Sequence, residues 1–410
     1  MDRGWETALV SPRGRKQMRR RNLVLMLVAF TLVLAACAST GSDDTTATTA
    51  AQATETTVAS DSGGDTATTV AAAATTTTAA ATTTADPRAD WPEEILFGFI
   101  PSEKQEKLAD TVQPYMDYLT EELGITFEDI ITADYNGLVV AMGAGNADLG
   151  AFGPFGYVQA QEQYPEIGVL IQSIRFGSDL YHGQWFTNDA SICEDEPVVG
   201  AYEWVDGVPT IMDPTEVSAL QVGWAYNDGV LGPETLDDGT EVTQGLVCTA
   251  PLEAVVGKSI AFTSATSTSG GVFPQLQLFN LGIDIEEDLE YSYLTSHDAT
   301  VAAVYNGDFD IGLSFDDARR TLRKEKTDVG EKVIVFNVTD DIPNDVVAVR
   351  GGLPESLQLA IFDATKAYLD TEEGEAVFDE IYGWTDIRLA RDEDFDVVRE
   401  AAVKLGVAEE

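Results

Sequence analysis

The sequence predicts an α/β protein built from two similar lobes with a ligand cleft between them. The roughly 320 residues that follow Trp91 exceed one average domain and suit two lobes. A short apolar helix, a Gly or Asn stop and a hydrophobic strand occur at residues 135–154 and again at residues 298–317. Because ligands of open α/β sheets bind where strands end and helices begin, we expect the binding site between the two units.

The first lobe opens with a predicted strand over residues 95–100. A helix follows, with apolar residues at helical spacing, and it ends at Gly124. We assign residues 91–186 to lobe 1, residues 187–342 to lobe 2 and residues 343–410 to a return into lobe 1. Two predicted tail helices, at residues 355–370 and 393–406, are expected to cover the first lobe.

The N-terminal residues have the pattern of an export signal. A basic stretch at residues 13–21 precedes an apolar run at residues 23–36, which is shorter than the 20 or so residues of a membrane-spanning helix. We therefore predict a signal peptide over residues 1–36, with translation starting at Met1 or Met18. The following "LAAC" resembles the lipobox of bacterial lipoproteins, which predicts a diacylated Cys37 and an extracytoplasmic protein anchored to the cell membrane.

Residues 37–90 are predicted to be a disordered tether. They consist mainly of Thr, Ala, Ser, Gly and Asp, and they contain few large apolar side chains before Trp91. Such a segment cannot bury enough surface to offset the loss of chain entropy on folding.

The charge of the chain excludes one class of partner. The formal net charge is −46, and 17 Lys and Arg stand against 68 Asp and Glu once residues 1–36 are removed. A nucleic-acid partner is therefore not expected.

Cys193 and Cys248 are the two cysteines that remain after Cys37. Because an exported protein folds in an oxidising environment, we predict a disulfide between them. Closing a loop of that length stabilises a fold by roughly 4 kcal/mol in the chain-entropy model. The segment at residues 189–250 is rich in Asp, Glu, Gly and Pro and interrupts the alternation of strands and helices. We interpret it as an insertion in lobe 2 whose two ends are joined by the disulfide.

A cluster of hydroxyl side chains precedes an apolar run in a stretch without charged residues, 262–279. A strand is predicted at residues 256–264 and a helix at residues 270–282, so Ser267, Thr268 and Ser269 stand at the helix start. Free backbone N–H groups and the helix dipole favour an anion there, without any formal cation. The alternative is an ordinary N-cap, which needs only one Ser. His297 begins a second helix in the same way.

Four motifs together resemble the phosphonate- and phosphite-binding lipoproteins of ABC importers, the PhnD-like family. They are "STSG" at residues 267–270, "SHDATVAAVYNGDFDIG" at 296–312, "ADLGAFGPFGYVQA" at 147–160 and "DDIPNDVVAVR" at 340–350. The resemblance implies the two-lobed type II periplasmic binding protein fold and a binding protein rather than an enzyme. It also implies a small oxyanion ligand, an ABC permease as partner and no cofactor.

The resemblance also implies which residues bind the ligand. Residues of the family that hold the phosphonate oxygens match Ser267, Thr268, Ser269, His297, Tyr135 and Tyr181. The positions that match Asp317 and Asp345 pair with the ammonium of aminoalkylphosphonates, with Asp316 as an alternative to Asp317.

Three other functions stay open at this stage, one of which, with the same fold, is a solute-sensing partner of a membrane receptor. A site lined by donors also accepts phosphate, sulfonate, sulfate or nitrate. A phosphonate-processing hydrolase is the alternative from another class, although no "GxSxG" motif surrounds Ser267 or Ser269 and two histidines are few for a metal site.

Overall fold

The computed structural model describes Asp86 and residues 88–227 and 229–407. The predicted signal peptide, the lipidation site Cys37 and most of the predicted tether lie outside these residues. Within the described part of the chain, no helix combines the length and the apolar character needed to cross a bilayer.

Lobe 1 is built on a mixed sheet of six described strands. Their order across the sheet is β19-β4-β18-β3-β1-β2, in which β1 runs parallel to β2 and β3 while β18 runs antiparallel to its neighbours β3 and β4. Most of these residues are Val, Ile, Leu and Phe, because both faces of the sheet are covered. The strands are β1 (Glu94–Phe99), β2 (Thr126–Ile131), β3 (Leu149–Phe152), β4 (Gly168–Ile174), β18 (Val346–Val349) and β19 (Asp386–Leu389).

Three helices pack on one face of this sheet: α1 (Gln105–Leu123), α8 (Glu355–Leu369) and α9 (Glu372–Ile381). α1 ends at Gly124, whose φ of 70° is favourable for a residue without a side chain. Tyr115 of α1 stacks on Tyr368 of α8 with ring centroids 5.7 Å apart, and its hydroxyl lies 2.6 Å from Thr365 Oγ1. The predictions of β1, α1 and a returning tail helix on lobe 1 are confirmed.

The other face of the first sheet carries α2 (Tyr135–Gly143), α3 (Pro154–Gln163) and α10 (Asp396–Leu405). α10 contacts α3 of lobe 1 and also α4 (Phe273–Asn280) of lobe 2. The second tail helix therefore packs against both lobes rather than against lobe 1 alone.

Lobe 2 contains a second sheet, with the strand order β14-β13-β15-β6-β16-β12-β7 in the described chain. β13 runs parallel to β14 and β15, while β6 runs antiparallel to β15 and β16. Its strands are β6 (Gly183–Thr187), β7 (Val198–Val199), β12 (Leu246–Val247), β13 (Ser259–Phe262), β14 (Glu290–Tyr293), β15 (Ile311–Phe315) and β16 (Ile334–Val338). The helices that accompany it, besides α4, are α5 (Ile285–Asp288), α6 (His297–Asn306) and α7 (Val329–Lys332).

The repeated pattern of the sequence corresponds to a repeated unit of structure. α2 followed by β3 in lobe 1 matches α6 followed by β15 in lobe 2, and each strand lies within its sheet. The prediction of two similar α/β units is therefore confirmed.

The crossover between the lobes lies a few residues before the predicted boundary at residue 186. β6 sits in the middle of the second sheet, and all five of its residues are buried. The chain crosses at β5 (Leu180–Tyr181), which pairs antiparallel with β17 (Ile342–Pro343), where the chain returns. The position of the crossover was not predicted because β6 is fully buried, and a fully buried strand lacks the alternation of polar and apolar residues that would show to which lobe it belongs.

The insertion at residues 189–250 adds β-structure to the edge of lobe 2. It contains two hairpins, and β7 and β12 extend the second sheet. The predicted Cys193–Cys248 disulfide is present. The hairpins are β8 (Ala201–Val205) with β9 (Val208–Met212) and β10 (Trp224–Asn227) with β11 (Val230–Pro233).

His182 lies directly after the crossover strand β5 and is buried between two carboxylates. Its Nδ1 is 3.2 Å from Asp316 Oδ2, and its Nε2 is 3.0 Å from Asp341 Oδ1. Burial alone would lower the pKa of the imidazole, but the bonds to the two carboxylates outweigh it and raise the pKa to about 10. His182 is therefore a charged link between lobe 2 and the returning segment.

We expect the free energy of unfolding to fall as the pH rises from about 6.5 to about 10. The unfolded chain loses the His182 proton near pH 6.5, whereas the folded protein keeps it until about pH 10. The stabilisation is thus complete below the first value and lost above the second. Urea titrations at pH 6.5 and about pH 9.5 measure this loss, and His182→Gln should remove most of it. Equal pH dependence in both proteins would contradict the prediction.

Candidate functional site

A cavity of about 120 Å³ separates the two lobes. Residues that follow β1, β2, β3 and β4 line it from lobe 1, and residues that follow β13, β14 and β15 line it from lobe 2. The carboxyl ends of the strands in both sheets therefore meet at the same space, as predicted. The cavity has room for roughly ten water-sized particles, enough for a small polyatomic ion.

The hydroxyl loop, residues 263–269, begins lobe 2's contribution to this cavity. The helix starts earlier than predicted, with a π-helical turn at Thr268–Val272 that leads into α4. Ser267 Oγ accepts a hydrogen bond of 3.1 Å from Gly270 N and so caps this turn. A Cβ on Gly270 or Gly271 would lie 2.3 Å or 2.2 Å from atoms of the loop, so only glycine permits the turn to fold back so closely.

Two of the hydroxyl oxygens already accept hydrogen bonds from backbone N–H groups, while their O–H groups can still donate. Ser267 is engaged in the cap, and Thr268 Oγ1 accepts a 2.9 Å hydrogen bond from Phe155 N across the cleft. Ser269 faces the hydroxyl of Tyr181, and Ser267 faces that of Tyr135. Burial raises the pKa of both tyrosines, so both phenols stay protonated at neutral pH and can donate. The structure brings these predicted residues together around one space.

His297 is neutral in this site. Burial, followed by the nearby Arg175 guanidinium, lowers the pKa of the imidazole to about 3. Nδ1 lies 2.7 Å from Ser314 Oγ, and no other hydrogen bond of the described chain involves that hydroxyl. The Ser314 hydroxyl must therefore donate its proton to Nδ1 to form a hydrogen bond. This assigns the imidazole proton to Nε2 and gives His297, which lines the cavity, an N–H donor.

The structure gives Asp317 a different role from the expected pairing with a ligand ammonium. Its carboxylate is fully buried and lies 2.8 Å from the guanidinium of Arg319, which is also fully buried. It also accepts a 3.0 Å hydrogen bond from Val222 N of the insertion, while Arg319 Nη1 donates to Leu246 O. Asp317 therefore holds the insertion on lobe 2, and no oxygen is left for a ligand.

The other two acids are paired as well. Asp345 lies in the cleft, where its carboxylate forms a close ion pair with Arg175. Burial raises the pKa of Asp345, against the opposing effect of Arg175. Asp316, the alternative to Asp317, is bonded to His182. The expected ammonium-binding carboxylates thus already have cations of the protein as partners.

Arg175 is a cation of the cleft that the sequence analysis missed. It follows β4 directly, its guanidinium carbon lies 5.3 Å from the Tyr181 ring and 5.7 Å from the Phe315 ring, and its side chain is 13% exposed. A formal cation therefore lines the cavity next to the hydroxyl loop, which the sequence analysis did not expect. The only signal in the sequence is its place at the end of a strand, which many surface arginines share.

Six buried donor atoms that line the cavity make no hydrogen bond of regular geometry to the described residues, although the Tyr135 hydroxyl faces Ser267, the Tyr382 hydroxyl faces Ser102 and the Trp384 N–H faces Asp345. Each of them can donate a hydrogen bond, and the orphaned acceptors of the described chain lie outside the cavity lining. Unpaired buried donors cost free energy unless a ligand satisfies them, so the cavity is built for an acceptor-rich ligand. The six atoms are Ser102 Oγ, Tyr135 Oη, Arg175 Nε, Arg320 Nε, Tyr382 Oη and Trp384 Nε1.

The lobes are in contact on both sides of this cavity. His297 N donates a 2.9 Å hydrogen bond to Ser102 O, in addition to the bond between Phe155 and Thr268. Val272 and Phe273 of lobe 2 also pack in the buried cluster that contains Tyr135. No group of three His, Cys, Asp or Glu in the described ranges is arranged to hold a metal ion.

Comparison with known families decides the class of the protein. Residues 97–395 match the family described as "ABC transporter, phosphonate, periplasmic substrate-binding protein". The chain belongs to this family. The family comprises substrate-binding components of ABC transporters that act outside the cytoplasm, and it is not a class of enzymes.

One curated relative is the phosphate-import protein PhnD of Mycolicibacterium smegmatis, 26% identical over 233 residues. The alignment covers 55% of this chain and 56% of that protein, so the chain matches little more than half of the relative's length.

Solved structures confirm the type II periplasmic binding protein fold. PhnD1 of Prochlorococcus marinus in complex with methylphosphonate is 17% identical, with a TM-score of 0.57 over 79% of this chain and 100% of that chain. A binding protein component of an ABC phosphonate transporter from Pseudomonas aeruginosa is 16% identical, with a TM-score of 0.56 over 77% of this chain and 87% of that one. At these identities the likeness concerns the fold.

Proposed function

We propose that this chain captures phosphonate or phosphite-like oxyanions outside the cell membrane and delivers them to the permease of an ABC importer. The observation that carries the proposal is a donor-lined cavity at the ends of both sheets, in which Arg175 Nε is buried without a hydrogen-bond partner among the described residues. A tetrahedral oxyanion offers several acceptor oxygens to such donors. Each hydrogen bond to the charged group contributes about 1.5–3 kcal/mol, so a few of them suffice for tight binding.

The residues of the proposed oxyanion site come from both lobes. Tyr135, Tyr181 and Arg175 contribute donors from lobe 1 and the crossover, and Ser269 and the Nε2–H of His297 contribute donors from lobe 2. Ser267 and Thr268 shape the loop through the bonds described above, and Thr268 begins the turn that lines the cavity. Asp345 orients Arg175 through their ion pair.

Calorimetric titration of the full chain, purified in detergent, tests the function. The ligands are phosphite, methylphosphonate, phosphate, aminoethylphosphonate and sulfate. We expect phosphite or an alkylphosphonate to bind most tightly, with phosphate as the second candidate because the mycobacterial relative is named for phosphate import. A preference for sulfate, or no binding of any of these ions, contradicts the proposal.

We also propose that lipidation of Cys37 anchors the protein to the cell membrane, behind a signal peptide at residues 1–36. In a lipoprotein-processing host, wild-type protein should sediment with membranes, whereas Cys37→Ser should not. Equal sedimentation of the two proteins speaks against the anchor.

A further inference from the structure

One cation of the cleft, Arg320, has only a long ion pair as its side-chain partner among the described residues. Its guanidinium makes no hydrogen bond to the described residues; the closest carboxylate, that of Asp379, is 3.7 Å away, and those of Glu234 and Asp317 act on it from further off. The side chain is 16% exposed, and Nε is buried. A guanidinium carries five N–H donors, and the buried Nε–H of Arg320 costs free energy unless a ligand satisfies it.

The other charges that line the cavity are paired more closely. Each of the other five acids lies next to a cation of its own, as Asp317 does with Arg319 and Glu380 does with Lys324 at 3.1 Å. Arg323 binds Glu234 at 2.7 Å. The weakest pairing among the charges of the cavity is therefore the one between Arg320 and the exposed Asp379, which leaves N–H donors of the guanidinium for a ligand anion.

Arg320 lines the same cavity as the residues of the proposed oxyanion site and lies near Arg175 in space. Its guanidinium carbon is 5.9 Å from the ring of Phe176, and Phe176 follows Arg175 directly. Arg175 is thus part of the turn after β4 in lobe 1, and Arg320 contacts the next residue of that turn from lobe 2.

The insertion forms the wall of the cavity near Arg320. Ser218, Ala219 and Leu220 line it, and this segment is fixed at both ends. Glu203 Oε1 accepts hydrogen bonds from the backbone and hydroxyl of Ser218, and Asp317 accepts one from Val222 N. The wall therefore belongs to the folded insertion rather than to a loose loop.

We propose that Arg320 binds a second acidic group of the ligand, so that the preferred ligand is a phosphonate whose substituent ends in a carboxylate. The planar guanidinium matches a carboxylate in a bidentate geometry, and the pairing of the cleft acids disfavours an ammonium at the same place. The inference rests on the proposed function and names the substrate class within it.

Matched ligand pairs test this proposal by calorimetry on the full chain. Ethylphosphonate is compared with phosphonoacetate, and propylphosphonate with 3-phosphonopropionate, since each pair differs only in a terminal methyl or carboxylate. We expect at least one carboxylated ligand to bind roughly tenfold more tightly than its partner. Arg320→Gln should abolish this difference and change the affinity for the alkylphosphonates less than about threefold.

Lys324→Gln is the matched control, because it removes one positive charge from the rim of the same cavity, where the lysine is 62% exposed. It should preserve the preference, since exposed charges are screened. Equal affinities within both wild-type pairs, or an equal loss for all four ligands in Arg320→Gln, overturn the inference and indicate that Arg320 only helps to join the lobes. Failure of the alkylphosphonates, phosphite and phosphate to bind at all would instead refute the proposed function.

Discussion

Asp317→Asn lowers the free energy of unfolding by about 3–5 kcal/mol, the expected cost of breaking a buried ion pair from one side. The substitution leaves the fully buried Arg319 guanidinium without its counter-charge. It also weakens the bond from Val222 N, which holds the insertion against lobe 2. Urea denaturation followed by tryptophan fluorescence measures the loss as a lower midpoint.

Asp308→Asn is the control for this prediction, because Asp308 is an exposed acid at the end of α6. Its stability should stay within about 0.5 kcal/mol of the wild type. The stability result also separates the two interpretations of Asp317. If Asp317→Asn leaves stability unchanged but weakens the binding of aminoethylphosphonate, the Asp317 carboxylate binds the ammonium of the ligand and its structural role is refuted.

Arg175→Met weakens the binding of methylphosphonate by roughly a hundredfold or more. Loss of a charge-assisted hydrogen bond accounts for about 1.5–3 kcal/mol, and Asp345 then faces the anion without its partner. Titration calorimetry of wild type and variant gives the ratio of dissociation constants. Unchanged affinity would place the anion away from Arg175.

Two further variants separate the contributions to this loss. Arg391→Met removes an arginine that is 62% exposed and should leave the affinity unchanged. The double variant Arg175→Met with Asp345→Asn removes the repelling carboxylate together with its partner. It should recover part of the affinity, and the part not recovered measures the direct contact between Arg175 and the ligand.

Much of the fold was predictable because it is encoded in short segments. The helical spacing before Gly124, the two strand-and-helix units and the hydroxyl cluster before α4 are local patterns, and each corresponds to an element of the structure. The Cys193–Cys248 disulfide was predictable for a different reason. An exported protein folds in an oxidising environment, and these were the two cysteines left after Cys37.

The site was only partly predictable from local sequence patterns. Ser269, Tyr135, Tyr181 and His297 do meet around one cavity, because each follows or ends a strand at the edge where ligands bind. Whether they contact the ligand stays a prediction. The pattern did not indicate Tyr382 or Trp384, which reach the cavity from the segment after α9.

By itself the sequence determined the order of strands and helices, the division into two units and the acidity of the chain. Only the tertiary structure decided which charges meet. Arg175 and its partner Asp345 are 170 residues apart in the sequence. Asp317 instead pairs with Arg319, only two residues away, and this pairing occupies its carboxylate. Element formation depends on neighbours along the chain, but the partner of a buried charge depends on which segments packing brings within a few ångströms, where a low-dielectric interior makes the pairing obligatory.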